Sequence, residues 1–361
     1  MDRPPPPHPS SAPLPPGGSR EVSIRDVARA AGVSVTTVSR VLNATGPVAE
    51  ETRGRVTAAV ELLDYVPHGG ARSLITRRTE TIGVLLPDLY GEFFSELIRG
   101  MDQTARLQRF HVLVSSAHSG RAEVEEVLRA LRGRVDGLIV MSPDVDVAPA
   151  LARYGETLPM VLLDAEAGRL DAITIDNYGG ACSMMRHLVG LGHRRIALLA
   201  GPARNLDARE RARGWRDSLG EAGLPAPPEL CFAGDFAEAS GHEAGAWLAA
   251  LARRPTAVFT ANDSMAVGLL SALREIGLRV PEDVALGGFD DIPIARYLSP
   301  PLTTVRVPIA ELGSRAMQRV LSLLESREPA HRHEVVPTQL VVRASCGAPA
   351  ARTSTDPTIG G

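Results

Sequence analysis

The feature that most constrains this fold is a repeating grammar that begins at Thr81. Short apolar runs recur along the chain: TIGVLLP, HVLVSSA, DGLIVM and PMVLLD, then RRIALLAG, AVFTAN and DVALGGFD. Between them lie stretches 93–109, 121–132, 178–191, 239–252 and 263–276, whose apolar positions recur at helical spacing. Short, continuous apolar strands joined by helical crossovers form parallel sheets covered on both faces. The units are too many for one compact sheet of flavodoxin size, so the pattern predicts two α/β lobes. In that architecture ligands bind where the C-terminal ends of strands from both lobes face each other.

A different pattern precedes it. Ile24–Ala31 is predicted as a helix with Ser23 as N-cap, and Gly32-Val33 breaks it. Ser34 can cap a second helix over Val35–Leu42, Asn43–Pro47 form a loop, and a third helix runs from about Glu50 to Leu63, with Val56, Val60 and Leu63 closing a small core. This is helix-turn-helix spacing, in which the second helix enters the major groove and its N-terminal side chains reach base edges. Gly32 supplies the tight turn, because glycine tolerates positive φ, and Ala28 and Ala31 are small where the helices meet. Val35 and Thr36 would face bases, with Arg40 one turn further on and able to make a bidentate contact with guanine. Thr37, Ser39, Asn43 and Thr52 suit backbone phosphates. The net charge of -3 conceals nine arginines against six acidic residues between Arg20 and Arg78, a balance that suits a polyanion. Spacing alone also fits a small helical cap whose polar residues are solvated.

The run SIRDVARAAGVSVTTVSRVLN, followed by VTAAVELLDYVP, closely resembles the lactose/galactose repressor family, and the likeness extends from about residue 22 to 345. The resemblance implies a small all-α helix-turn-helix headpiece followed by a two-lobed, periplasmic-binding-protein-like α/β domain. It implies that Val35, Thr36 and Arg40 read bases and that Asn43 and Tyr65 support backbone contacts. It also implies a hinge helix at His68–Leu74 that forms on the operator, with Ala71 and Leu74 as DNA contacts and Leu74 as a minor-groove wedge. Gly69 and Gly70 each disfavour helix by about 1 kcal/mol, so that hinge is expected to order only on DNA. Ala49 replaces the usual serine or threonine cap of the third helix, a loss of about 1 kcal/mol.

A sugar site needs flat apolar faces for the ring and charged or amide groups for the hydroxyls. Such residues stand at strand ends: Phe93 and Phe94, Asp164, Asn262-Asp263 and Asp290-Asp291, with Arg211 near the start of the helix after RRIALLAG. The resemblance assigns effector contacts to Phe93, Phe94, Asp164, Arg211, Phe236, Asn262, Asp290 and Arg306. It departs at Gly91-Glu92, where many relatives have Asn-Pro, and around Phe236, whose loop is variable. Asp263 is expected to cap the helix that follows it, and Asp176-Asn177 to organise the crossover between lobes.

The expected organisation is therefore a disordered proline-rich leader (1–20), a DNA-binding headpiece (21–66), a hinge (67–79), the two-lobed domain (80–345) and a disordered tail (346–361). The first lobe should hold about 80–176 and 306–334, the second about 177–305 and 335–345. Cys182, Cys231 and Cys346 are expected as free thiols, consistent with a cytoplasmic protein. His187 and His193 should cap a helix or face solvent, and His331-Arg332-His333 should lie in a surface loop. No G-x-S-x-G elbow, Walker loop or H-E-x-x-H appears, and no membrane segment, which leaves no enzyme class with support and no cofactor to expect. The expected partners are operator DNA, a small-molecule effector and a second copy of the chain. A transport-associated solute-binding protein would share the lobes, but it would not carry residues 23–74.

Overall fold

The computed structural model describes residues 22–43, 45–65, 78–118, 120–141, 148–165, 168, 170–326 and 332–347. The chain divides into two compact units, Met1–Thr79 and Glu80–Gly361. Ala71 and Leu74 of the expected hinge lie outside the described residues.

In the first unit, α1 (Ile24–Ala31), α2 (Val35–Leu42) and α3 (Glu50–Leu62) pack around a small core. The Asp26 carboxylate accepts from both the N–H and the hydroxyl of Ser23, fixing the start of α1. Gly32 ends α1 at φ 65°, and the next N–H, that of Val33, donates to Ala28 O. Ser34 caps α2 by accepting from Thr37 N–H at 3.1 Å. The core is Val27, Ala28, Ala31, Val38, Val56, Ala59 and Tyr65, with Val60 and Leu63 half-buried against it. Tyr65, expected beside the DNA backbone, packs its ring into this core and is 7% exposed. Ala49 stands at the N-cap of α3 and offers no side-chain cap.

The second unit holds two parallel sheets. The first contains β1 (Thr81–Leu86), β2 (His111–Ser116), β3 (Gly137–Met141), β4 (Met160–Leu163), β5 (Asp171–Ile175) and β11 (His333–Val336), ordered β11-β5-β4-β3-β1-β2. The second contains β6 (Ile196–Ala200), β7 (Cys231–Ala233), β8 (Ala257–Thr260), β9 (Ala285–Asp290), β10 (Thr303–Arg306) and β12 (Gln339–Val341), ordered β12-β10-β9-β8-β6-β7. Among the described pairings, only β10 with β12 is antiparallel. Helices α4 (Glu92–Leu107), α5 (Gly120–Leu131), α6 (Ala148–Gly155), α7 (Asn177–Gly190), α8 (Leu206–Glu221), α9 (Glu238–Ala250), α10 (Asp263–Glu275) and α11 (Ile309–Glu325) follow the strands. Among the described residues, no helix is long and apolar enough to cross a membrane.

The chain crosses between lobes after β5, after β10 and after β11. Because β11 runs to Val336, the last crossing is at Pro337–Thr338, two residues beyond the expected boundary, and Arg306 closes β10 of the second lobe. Cys346, assigned to the tail from sequence, is 1% exposed at the end of a 3-10 turn, so the ordered body reaches past it. His187 is half-buried with Nε2 3.2 Å from Cys346 Sγ, and His333 lies in β11 rather than a loop.

Close helix packing fixes the first lobe. A Cβ on Gly100 would lie 1.9 Å from Ala310 O, and one on Gly313 would lie 2.2 Å from Leu97 O. Helices α4 and α11 therefore touch backbone to backbone, which sets the position of the α4 N-terminus and its phenylalanines.

Candidate functional site

Helix α2 presents Val35, Thr36 and Arg40 to solvent, while Val38 on its other face is fully buried. Val35 is 41% exposed, which gives no packing reason for a β-branched apolar residue at the first position of a short helix. The Arg40 side chain makes no hydrogen bond or ion pair among the described residues, so its five donors face outward. The Thr37 hydroxyl lies 2.9 Å from Ser34 Oγ. Asn43 Nδ2 donates to Ser39 O at 2.9 Å and to Ser39 Oγ at 3.2 Å, tying off the last turn of α2. Thr52 is half-buried in the first turn of α3.

In the second unit a cavity of about 430 Å³ lies between the lobes. The first lobe contributes Phe93 and Phe94 from the N-terminus of α4, in an edge-to-face pair 5.5 Å apart, together with Tyr90 and Met141. The second contributes Phe236, Asn262, Asp207, Arg211 and Asp290. Five carboxylates on its described wall (Asp88, Asp207, Asp235, Glu238 and Asp290) face a single guanidinium, that of Arg211.

Arg211 is 4% exposed and held on several sides. Its Nε donates to Asn177 Oδ1 at 2.8 Å, and Nη1 donates to Ala261 O at 2.5 Å. The guanidinium lies 3.8 Å from the Phe289 ring centroid and 5.9 Å from that of Phe236. Nη1 is also 3.2 Å from Asp290 Oδ1, near enough to pair as charges, but it is not aligned as a hydrogen bond. Asp290 Oδ1 has no hydrogen-bond partner among the described residues, although the residue is only 5% exposed. A buried acceptor left unmade costs about 1–3 kcal/mol. Burial pushes the Asp290 carboxyl up to about 7 and that of Asp207 up to about 6, although Arg211 opposes both shifts.

Asp164 is 2% exposed and is not part of the cavity wall. Its Oδ1 accepts from Ile175 N–H at 2.9 Å, while Oδ2 has no partner among the described residues. Burial, reinforced by the Asp207 charge, holds this carboxyl well above the ordinary carboxylate range. Among the described residues, four of the seven non-glycine residues with positive φ are Asp164, Phe236, Asp290 and Asp291. Strain of this kind persists only where surrounding structure imposes it, and here it gathers around one cleft.

Besides Asp164, two expectations are corrected. Arg306 is exposed and outside the cavity wall, paired at 2.7 Å with Asp291, which also holds Arg343. Asn262, not Asp263, caps α10: its Oδ1 accepts from Met265 N–H, and its Nδ2 donates to Phe236 O. It therefore shapes the wall with both amide atoms already engaged. Asp263 is fully buried and accepts from Thr304 Oγ1 and Ile292 N–H. Asn177, expected at the crossover, also donates to Asp207 Oδ1 at 2.9 Å and so couples Asp207 to Arg211. Asp207 was missed, although it stands four residues before Arg211 on the same helix face.

Comparisons with known proteins agree with both halves. Residues 23–68 match the model of bacterial regulatory proteins of the lacI family, and residues 185–346 match a periplasmic binding protein-like domain. The HTH-type transcriptional repressor PurR of Photobacterium profundum is 37% identical over 328 residues, covering 90% of this chain and 98% of that protein. The Lac repressor dimer bound to operator and the anti-inducer ONPF superimposes with a TM-score of 0.82 at 33% identity, covering 91% of this chain and all of that one. The transcriptional regulator CelR in complex with cellobiose does so with a TM-score of 0.68 at 32% identity, covering 90% and 99%. The chain thus belongs to the lacI family of bacterial regulatory proteins and is a transcriptional repressor with a helix-turn-helix DNA-binding domain, not an enzyme.

Proposed function

We propose that two copies of the chain bind a two-fold symmetric operator and that a hydroxyl-rich ring compound, a sugar, controls this by occupying the cavity between the lobes. The dimer is supported by the likeness to a Lac repressor dimer on operator and by the matching of two-fold symmetric proteins to inverted-repeat sites. Val35, Thr36 and Arg40 read base edges, while Thr37, Ser39, Asn43 and Thr52 contact phosphates and Tyr65 holds the headpiece core behind them. Ligand closure of the lobes changes operator affinity through a coupling of about 1–3 kcal/mol.

The observation that carries the sugar assignment is the unmatched acceptor at Asp290 Oδ1 beside Arg211, within a wall that is rich in carboxylates and flanked by Phe93, Phe94 and Phe236. Carboxylates accept but do not donate when ionised, so this wall selects a ligand carrying several donors. Vicinal hydroxyls supply them, and a ring's apolar face fits against the phenylalanines. The cellobiose complex of CelR supports the same class. A second reading is favoured by the full-length relatives named PurR: a purine, stacked on the same aromatic faces.

A thermal-shift screen over pentoses, hexoses, cellobiose, purine bases and nucleosides decides between them. A ligand at a hundred times its Kd adds about 2.7 kcal/mol of stability, a readily measured shift. The expected hit is a sugar whose shift disappears in Asp290→Asn. A purine-only response would establish the second reading, and a shift retained in Asp290→Asn would contradict the role given to that carboxylate.

A further inference from the structure

Three segments meet at one edge of the first lobe's sheet. β1 lies between β2 and β3, with Thr81 in register with His111 and Ile82 with Gly137. His111 N–H donates to Glu80 O, Asp136 N–H donates to Thr81 O, and Glu80 N–H donates to Asp136 Oδ2, each at 2.8 Å. With strands about 4.8 Å apart, Glu80 and residues 108–110 and 132–136 form a single rim about 10 Å across. Arg109, Arg132 and Arg134 stand exposed on it. Glu80 and Asp136 are the carboxylates in these segments, which leaves a cationic excess.

The side chains of Arg109, Arg132 and Arg134 make no hydrogen bond or ion pair among the described residues. Neighbouring arginines behave otherwise: Arg106 pairs with Asp102 at 2.9 Å, and Arg121 pairs with Glu125 at 2.8 Å. The rim arginines do not serve the helix ends either, since Arg129 Nε is the group that donates to a carbonyl of α5, that of Glu125. Arg109 holds a left-handed φ of 61°, a conformation that side-chain-bearing residues adopt uncommonly.

Glu80 of this rim follows directly on Thr79, the last residue of the first unit. The chain from Tyr65 to Glu80 spans at most about 50 Å even when fully extended. A duplex gripped by the headpiece is thereby tethered to this edge. We propose that Arg109, Arg132 and Arg134 form a second DNA-contact surface, which holds backbone phosphates of the duplex flanking the operator. Guanidinium groups without intramolecular partners suit phosphate, and such contacts add affinity and position without reading sequence.

The test uses the full-length chain and an operator selected from random duplexes, prepared both as the bare site and with about one helical turn of flanking DNA at each end. The slope of log K against log salt is measured for wild type, for an Arg109→Ala, Arg132→Ala, Arg134→Ala triple variant and for the corresponding triple lysine variant. Each lost phosphate contact removes about 0.9 from the slope. The expected result is a drop of up to about 2.7 per subunit for the alanine variant on the flanked duplex, no change on the bare site, and retention by the lysine variant. Equal slopes for wild type and alanine variant on the flanked duplex would overturn the proposal. An equal loss on both duplexes would also overturn it, by placing the effect in the operator or the fold.

Discussion

The Glu92 carboxylate accepts a 2.8 Å hydrogen bond from Ile294 N–H, and so joins the first turn of α4 in one lobe to the Pro293–Arg296 turn in the other. This bond bridges the mouth of the cleft beside Phe93, at a position where the family resemblance leads one to expect proline, which has no carboxylate to offer.

Removing that bond should favour the open cleft. Glu92→Ala is expected to weaken ligand binding by about 10-fold, in line with about 1.5 kcal/mol for a hydrogen bond to a charged group. Glu92→Gln should retain part of the affinity. Calorimetric titration of the ligand found by thermal shift checks this, and unchanged affinity in Glu92→Ala would remove the latch from the account.

The raised carboxyl of Asp290 gives a signed pH dependence. It titrates near 7 in the folded chain and near about 3.9 when unfolded. Between those values the folded state holds a proton that the unfolded state has lost, so stability falls as pH rises through the window. Asp207, raised to about 6, acts in the same direction. The unliganded protein is expected to melt at a lower temperature at pH 7.5 than at pH 5.5 at fixed ionic strength, and Asp290→Asn should flatten that slope. A hydroxyl donor favours the ionised carboxylate, so ligand affinity should rise as pH passes about 7. A flat profile for both stability and affinity would show that the carboxyl does not titrate there.

At the N-terminus of α3, Ala49 leaves the first N–H groups without a side-chain acceptor. Ala49→Ser should stabilise the headpiece by about 1 kcal/mol. Hydrogen exchange of α3 amides in the full chain reads this directly, with slower exchange expected and unchanged exchange contradicting it.

What could be read from sequence followed local chemistry. Gly32, Ser34 and the buried Val38 act within a few residues of one another, so the helix-turn-helix was legible, as were β1 and β8 from continuous apolar runs. β10 was not, because Thr303 and Thr304 are fully buried yet polar. They are satisfied by Arg343 O and by the Asp263 carboxylate, partners about forty residues away. Arg306 was assigned to the cavity by resemblance, and only the structure shows it paired with Asp291 instead. The cap of α10 was misplaced by one residue, since Asn262 and Asp263 are adjacent and equally able to cap. Asn177 carried no periodic signal, and its role emerges only where the first crossing meets α8.

The placement of α2 against base edges is tested by selection of duplexes from a random library by the purified wild-type chain, followed by anisotropy titration of the enriched sequence. An inverted repeat is expected, bound at least about 10³-fold more tightly than random DNA at moderate salt, and weakened at one position per half-site by about 1–3 kcal/mol in Arg40→Ala. Enrichment of no sequence, or a preference untouched by Arg40→Ala, would contradict the placement of α2 against base edges.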